Sequence, residues 1–127
     1  MTNAQNPTVL IVEDTQDVAN IILIALRKLP INMVHVTNGQ DAIVRARELT
    51  PALIILDIGL PGIDGWQVLD VLQDDEKLAH VPVAVITAYS DAENRQTGKL
   101  YGVYAYLPKP VTPQQLRETV QRALGLT

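Results

Sequence analysis

Leu53-Ile54-Ile55-Leu56-Asp57-Ile58-Gly59-Leu60-Pro61-Gly62-Ile63-Asp64-Gly65 is the stretch around which the chain is organised. Four apolar residues run straight into a carboxylate, and a turn rich in proline and glycine follows. Apolar residues in unbroken succession, rather than alternating with polar ones, mark a strand covered on both faces. Such a strand delivers Asp57 to the point where the backbone leaves the sheet. In open α/β sheets, ligands bind outside that end of the strands. Asp64 is placed to cap the helix that follows.

Outward from this stretch the same plan repeats. Val9-Leu10-Ile11-Val12 is another buried strand, ending in Glu13-Asp14. Residues 14–29 carry Val18, Ile22, Ala25, Leu26 and Leu29 at helical spacing, and Pro30 stops that helix. Residues 33–37 predict a short strand closed by the turn signal Asn38-Gly39. A helix over 40–49 puts Ala42, Ile43, Ala46 and Leu49 on one face, and Pro51 ends it. Beyond Gly65, Val68, Leu69 and Leu72 form the inner face of a third helix, with Trp66 covering apolar surface beside it. Residues 73–80 read as a polar connection, and Val83-Ala84-Val85-Ile86 as a strand ending at Thr87. A fourth helix over 90–101 has almost no apolar stripe. It also contains Gly98, which costs about 1 kcal/mol against alanine in a helix interior. A strand over 103–107 leads into Pro108-Lys109-Pro110, and Thr112 or Pro113 opens a last helix with Leu116, Val120, Ala123 and Leu124 inward. Strands alternating with helices predict an α/β fold: a parallel sheet, right-handed crossovers and helices on both faces.

Composition narrows the function classes. At 127 residues the chain fits one domain over 1–127 with a real core, and it shows no repeat or linker before a further domain. Residues 1–7 predict a loose polar tail, not a signal peptide. Without cysteine there is no disulfide, thiol nucleophile or cysteine metal site, in keeping with a cytoplasmic location. A net charge of −4 with no lysine or arginine block gives nucleic-acid binding little support. The longest apolar run, Ile21-Ile22-Leu23-Ile24-Ala25-Leu26, falls far short of the ~18 residues of a membrane span.

The chemistry lies in the few polar residues at strand ends. Glu13 and Asp14 follow the first strand, Asp57 the third, Thr87 the fourth and Lys109 the fifth. In a parallel sheet all of these share one edge. Alone, Glu13-Asp14 is an acidic pair favouring a helix N-terminus, Thr87 an ordinary strand residue and Lys109 a solvated charge. Together the three carboxylates repel unless a cation sits among them. Oxygen ligands without histidine or cysteine suit magnesium, or manganese in its place. A carboxylate flanked by a cation, an ammonium and a hydroxyl is a site for a transferring phosphoryl group. His35 and His80 read as surface or turn residues.

These residues carry a resemblance. Glu13-Asp14, the segment from Asp57 to Gly65, Thr87-Ala88 and Tyr106-Leu107-Pro108-Lys109-Pro110, in order and each at a strand end, resemble a response-regulator receiver domain of two-component signalling. The resemblance spans roughly residues 8–124. It implies a flavodoxin-like sheet of order 2-1-3-4-5. It further implies that Asp57 accepts a phosphoryl group from a histidine kinase, a histidine phosphotransfer protein or a small phosphodonor. Asp14, Asp57 and the Gly59 carbonyl would bind Mg2+ or Mn2+ directly, and Glu13 through water. Lys109 would pair with Asp57 and then with the phosphoryl group. Thr87 would move toward that group and Tyr106 would swing inward behind it, switching a surface for a downstream partner. Tyr106 takes this role by its spacing from Lys109, although Tyr104 shares its strand face. The Lys109-Pro110 bond would be cis. Such a domain turns over no separate substrate and acts by docking or by passing the phosphoryl group on. A receiver cut from a hybrid kinase or longer regulator has the same sequence pattern. A phosphorylation-silent scaffold and an aspartyl-phosphate phosphohydrolase are the alternatives of another class. Against the phosphohydrolase, Gly59 stands where a second aspartate would be needed.

Three features are particular to this chain. Gly59, two residues after Asp57, leaves room for water, whereas Tyr89, two after Thr87, would shield the phosphoryl group. Leu23 and Ile24 flank the core stripe of the first helix on its outer side, as a docking patch for a phosphohistidine domain or a self-association surface. The fourth helix is either merely frayed or a segment that reorders on phosphorylation.

Overall fold

A computed structural model describes residues 5–126. The expected loose tail lies mostly outside the described residues. Its end does not hang free, because the carbonyls of Asn6 and Pro7 accept from the side chain (3.2 Å) and backbone (2.9 Å) of Asn32.

Five strands alternate with five helices: β1 (Thr8–Val12), α1 (Gln16–Leu26), β2 (Asn32–Val36), α2 (Gly39–Leu49), β3 (Leu53–Leu56), α3 (Gly65–Asp74), β4 (Val83–Thr87), α4 (Ala92–Tyr101), β5 (Ala105–Pro108) and α5 (Pro113–Leu124). The sheet is parallel with order β2-β1-β3-β4-β5. This is the flavodoxin-like order, in which β1 and β3 flank the switch point of the winding.

Alternation along the strands divides the core in two. Leu10, Val12, Ile54, Leu56, Val83 and Val85 point to one face, under Ala42 and Ala46 of α2 and Val68, Leu69 and Leu72 of α3. Val9, Ile11, Leu53, Ile55, Ala84 and Ile86 point to the other, under Ile22, Ala25 and Leu26 of α1 and Leu116 and Val120 of α5. Both faces are covered, which is why β1, β3 and β4 read as unbroken apolar runs. Burying each large aliphatic side chain contributes roughly 1.5–3 kcal/mol. A slip of one residue would exchange the two faces of a strand, so the register is strongly specified.

Helix ends follow their capping residues. The Asp64 side chain accepts from Gln67 N and the Gln67 side chain accepts from Asp64 N, a closed capping box at the head of α3. Thr112 and Gln115 make the same box on α5, with Pro113 in the first turn. α1 is shorter than expected and ends at Leu26. Its apolar periodicity runs on to half-buried Leu29 through a tight turn, where Leu29 N donates to Leu26 O at 3.0 Å. Leu78, in the connection read as polar, is buried in the α2–α3 side of the core.

α4 is not packed through an apolar stripe; only Gly98 within it is buried. It is fastened to α3 by polar and aromatic contacts. The Trp66 ring stacks on Tyr101 with centroids 5.3 Å apart, and the indole N–H donates to Asn94 Oδ1 at 3.1 Å. Tyr101 OH donates to Asp70 Oδ1 at 2.6 Å, and Gln73 Nε2 donates to the Tyr101 carbonyl at 2.6 Å.

Candidate functional site

The residues at the C-terminal edge of the sheet are held by the sheet itself. Glu13, Asp57 and Lys109 each stand one residue past a strand, yet each keeps its backbone N–H in the ladder. Glu13 N donates to Val36 O (3.1 Å), Asp57 N to Val12 O (3.0 Å) and Lys109 N to Thr87 O (2.8 Å). Three side chains from three strand ends are thereby fixed on backbone anchored in the core.

Lys109 Nζ lies between two carboxylates. It donates to Asp57 Oδ2 at 2.8 Å and sits 2.9 Å from Glu13 Oε1. The second contact is a charge pairing rather than an aligned hydrogen bond, so the buried Oε1 has no well-directed donor. The other oxygens are better served. Asp57 Oδ1 accepts from Gly59 N at 2.9 Å, and Glu13 Oε2 accepts from Thr15 N at 3.1 Å. Among the described residues, Glu13, Asp57 and Thr87 are the buried polar ones, whereas Asp14 is exposed. The Lys109-Pro110 bond is cis.

Electrostatics follow from this crowding. Burial pushes the Glu13 carboxyl above its ordinary range; Lys109 and the Thr15 N–H oppose the rise, and the neighbouring Asp57 charge adds to it. Burial acting alone would lower the Lys109 ammonium, but the hydrogen bond to Asp57 and the close pairing with the Asp57 and Glu13 charges outweigh it and the value is raised. Lys109 is therefore a fixed cation at neutral pH. Carboxylate oxygens of Glu13, Asp14 and Asp57 lie within 4.8 Å of one another. An all-oxygen donor set with one orphaned buried oxygen fits a hard divalent cation.

The hydroxyl side of the site forms a chain. Thr87, fully buried at the end of β4, accepts through Oγ1 from Tyr89 N at 3.1 Å. The Tyr89 carbonyl accepts from the hydroxyl of half-buried Tyr106. The backbone of Tyr89 thus connects the Thr87 hydroxyl to Tyr106, while Tyr104 lies more exposed at the foot of β5.

One expectation is refined and two are corrected here. Gly59 is exposed, as expected, but the Tyr89 ring lies beside it: a Cβ on Gly59 would meet Tyr89 Cε2 at 2.6 Å. Leu23 does not belong to an outer patch; it is half-buried against the α1–α5 side of the core. One residue is 100° of helix, so Leu23 lies beside Ile22 at the margin of the stripe, and the exposed pair is Ile21 (48%) with Ile24 (60%). His35 is not a surface or turn residue, but a half-buried strand residue whose Nε2 lies 2.8 Å from the Glu13 carbonyl. Its signal in sequence, a histidine across from Ile11 and so beside the end of β1, becomes visible only once the β1–β2 register is known.

A doubly wound parallel sheet with a carboxylate, an acidic pair, a buried threonine and a lysine gathered at its switch point defines a class of phospho-signalling fold. The profile of the response regulator receiver domain family matches residues 9–121, and the chain belongs to that family. Among its relatives is the polar-differentiation response regulator DivK of Brucella anthropi, 32% identical over 118 residues that cover 93% of this chain and 96% of that one. Among solved structures, the receiver domain of the sensor histidine kinase PA1611 from Pseudomonas aeruginosa is similar, with a TM-score of 0.85 and 28% identity over 94% of this chain and 98% of that one; it holds a magnesium ion in its active-site cleft. The phosphorylated cyanobacterial phytochrome response regulator RcpA is similar with a TM-score of 0.78 and 28% identity, covering 94% and 90% of the two chains. No helix among the described residues is long and apolar enough to cross a membrane.

Proposed function

We propose that Asp57 is the phospho-acceptor of this receiver domain, and that the contact between Lys109 Nζ and Asp57 at 2.8 Å carries the reading. An ammonium already held against the nucleophile's carboxylate is positioned to follow the charge onto an incoming phosphoryl group. A carboxylate oxygen of Asp57 attacks phosphorus while the bond from phosphorus to the donor breaks. That bond is P–N in a phosphohistidine and P–O in an acyl phosphate. The donor leaves with the electron pair, which the imidazole or the carboxylate retains. Lys109 pairs with one oxygen of the new acyl phosphate and the Thr87 hydroxyl with another. Asp14, Asp57 and the Gly59 carbonyl would hold Mg2+ or Mn2+ directly, with Glu13 acting through water; when bound, the ion neutralises phosphoryl charge.

The switch lies in the chain from Thr87 through Tyr89 to Tyr106. When Thr87 Oγ1 turns to the phosphoryl group it gives up its bond from Tyr89 N. The Tyr89 carbonyl that anchors Tyr106 then moves, Tyr106 is freed to turn inward, and the surface along α4 and β5 changes for a downstream protein. Donors are a histidine kinase or a histidine phosphotransfer protein. Ile21 and Ile24 on α1, beside the apolar groove of Val18, Ile22, Pro110 and Val111 next to Lys109, are the surface on which a phosphohistidine domain docks or a homodimer forms. The protein works in the cytoplasm, without nucleic acid as a direct ligand.

Incubation with magnesium and acetyl phosphate followed by intact mass tests the reading. A phosphoryl adduct that is lost in Asp57→Asn supports it. No adduct with acetyl phosphate, phosphoramidate or a phosphohistidine protein contradicts it and favours a scaffold.

A further inference from the structure

We infer that His35 is a positioning residue for the acidic pair: from the edge strand β2 its Nε2–H donates to the Glu13 carbonyl and so fixes the peptide that joins Glu13 to Asp14. The inference rests on the proposed cation site.

The β1–β2 ladder ends with the pair Val12 and Val36. Glu13 lies just beyond it, and two adjacent residues of β2 hold its backbone. Its N–H donates to Val36 O at 3.1 Å, and its carbonyl lies 2.8 Å from His35 Nε2. A carbonyl only accepts, so the ring nitrogen facing it carries the proton, and the contact selects the tautomer. Without the imidazole this carbonyl would leave the sheet with no partner from β2.

The peptide plane is rigid, so fixing the Glu13 carbonyl also fixes the N–H and Cα of Asp14. This matters because the two acidic residues are held differently. Glu13 is buried with its side chain between Lys109 and Thr15. Asp14 is exposed, so burial does not hold it, and its direction comes from the backbone it leaves. Magnesium demands near-ideal octahedral geometry and tolerates misplaced carboxylates poorly. Hydrogen bonds one step behind the ligands typically account for 10–100-fold in metal affinity. His35 stands in that relation to Asp14, acting through the backbone rather than by touching the ion.

Isothermal titration of the full chain with magnesium chloride tests this, alongside His35→Gln, His35→Phe and melting in chelator. Glutamine keeps an N–H near the position of Nε2; phenylalanine keeps the ring and removes the donor. His35→Phe is expected to weaken magnesium binding about tenfold, while His35→Gln binds as the native chain does. If His35→Phe fails to fold, His35→Leu removes the donor in its place. Native affinity in the donor-free variant, even with a lowered melting temperature, overturns the inference and makes the contact merely structural. Equal weakening in the glutamine and donor-free variants overturns it too, since the donated bond would not be the cause. A native chain that takes up no magnesium overturns the cation reading itself and the role of His35 with it, a result distinct from the other two.

Discussion

The ring of Tyr89 occupies the place that a side chain on residue 59 would take: a Cβ on Gly59 would lie 2.6 Å from Tyr89 Cε2. Residues 59 and 89 follow Asp57 and Thr87 by two positions each, so an aromatic ring from the β4–α4 loop lies across the loop leaving β3. The missing side chain on one loop makes room for the large one on the other. A ring held here would shield one side of an acyl phosphate on Asp57, although Gly59 and Tyr89 both stay exposed. Tyr89→Ala is therefore expected to speed loss of the phosphoryl group several-fold in the purified protein, with phosphorylation by acetyl phosphate retained. Gly59→Ala, which displaces the same ring, should act in the same direction. An unchanged half-life in Tyr89→Ala would remove shielding from the account.

Gly98 faces a similar constraint from Tyr106. A Cβ there would lie 2.9 Å from Tyr106 Cδ2, and the hydroxyl of that ring is tied to the Tyr89 carbonyl. An ordinary glycine-to-alanine change inside a helix gains about 1 kcal/mol. In this chain Gly98→Ala is expected to gain nothing or to lose stability, whereas in a Tyr106→Ala background it should gain about 1 kcal/mol. Urea unfolding of the four proteins of this double-mutant cycle measures the difference. Equal effects in both backgrounds would show that the contact does not constrain the ring.

Lys109 neutralises two carboxylates, so its removal should have opposite effects on stability and on cation binding. In Lys109→Met, Glu13 and Asp57 face each other without an ammonium between them. Without divalent cation the variant is expected to lose about 1–3 kcal/mol. Magnesium should bind it more tightly than the native chain and restore part of the loss, while phosphorylation slows. Calorimetric titration with chemical unfolding in chelator and in magnesium checks both signs. Weaker magnesium binding in the variant would contradict the charge arrangement.

The α3–α4 fastening gives a test in alkaline solution. Hydrogen bonding to Asp70 comes first, then burial, and together they push the Tyr101 phenol up to about 12. The folded value is above the unfolded one, which lies near 10. The interaction therefore contributes fully below about pH 10 and is lost as the pH rises through about 12. Ultraviolet titration of the native chain minus Tyr101→Phe should place this phenolate late, and Asp70→Asn should return it toward the ordinary tyrosine range. A Tyr101 that ionises with ordinary tyrosines in the native chain would show that the Asp70 bond does not hold in solution.

What could be read from the sequence follows from where the information sits. β1, β3 and β4 are legible because strands covered on both faces need unbroken apolar runs. The strand-end residues Glu13, Asp57, Thr87 and Lys109 are legible because polar residues there are few. The length of α1 was not, since Leu29 continues the helical period through a turn. The fastening of α4 to α3 was not, since its bonds join residues 28 and 31 apart and leave no local pattern. The partnerships of His35 with Glu13, of Tyr89 with Gly59 and of Tyr106 with Gly98 depend on register and loop path, which emerge only when the sheet is assembled.

The central claim is that the Asp57 carboxylate itself takes the phosphoryl group. After treatment with acetyl phosphate and magnesium, borohydride reduction converts an aspartyl phosphate to homoserine, which peptide mass mapping then locates. The account predicts homoserine at position 57, absent without phosphodonor and absent when magnesium is chelated. Homoserine at any other aspartate, or none in a protein whose intact mass shows the adduct, would contradict it.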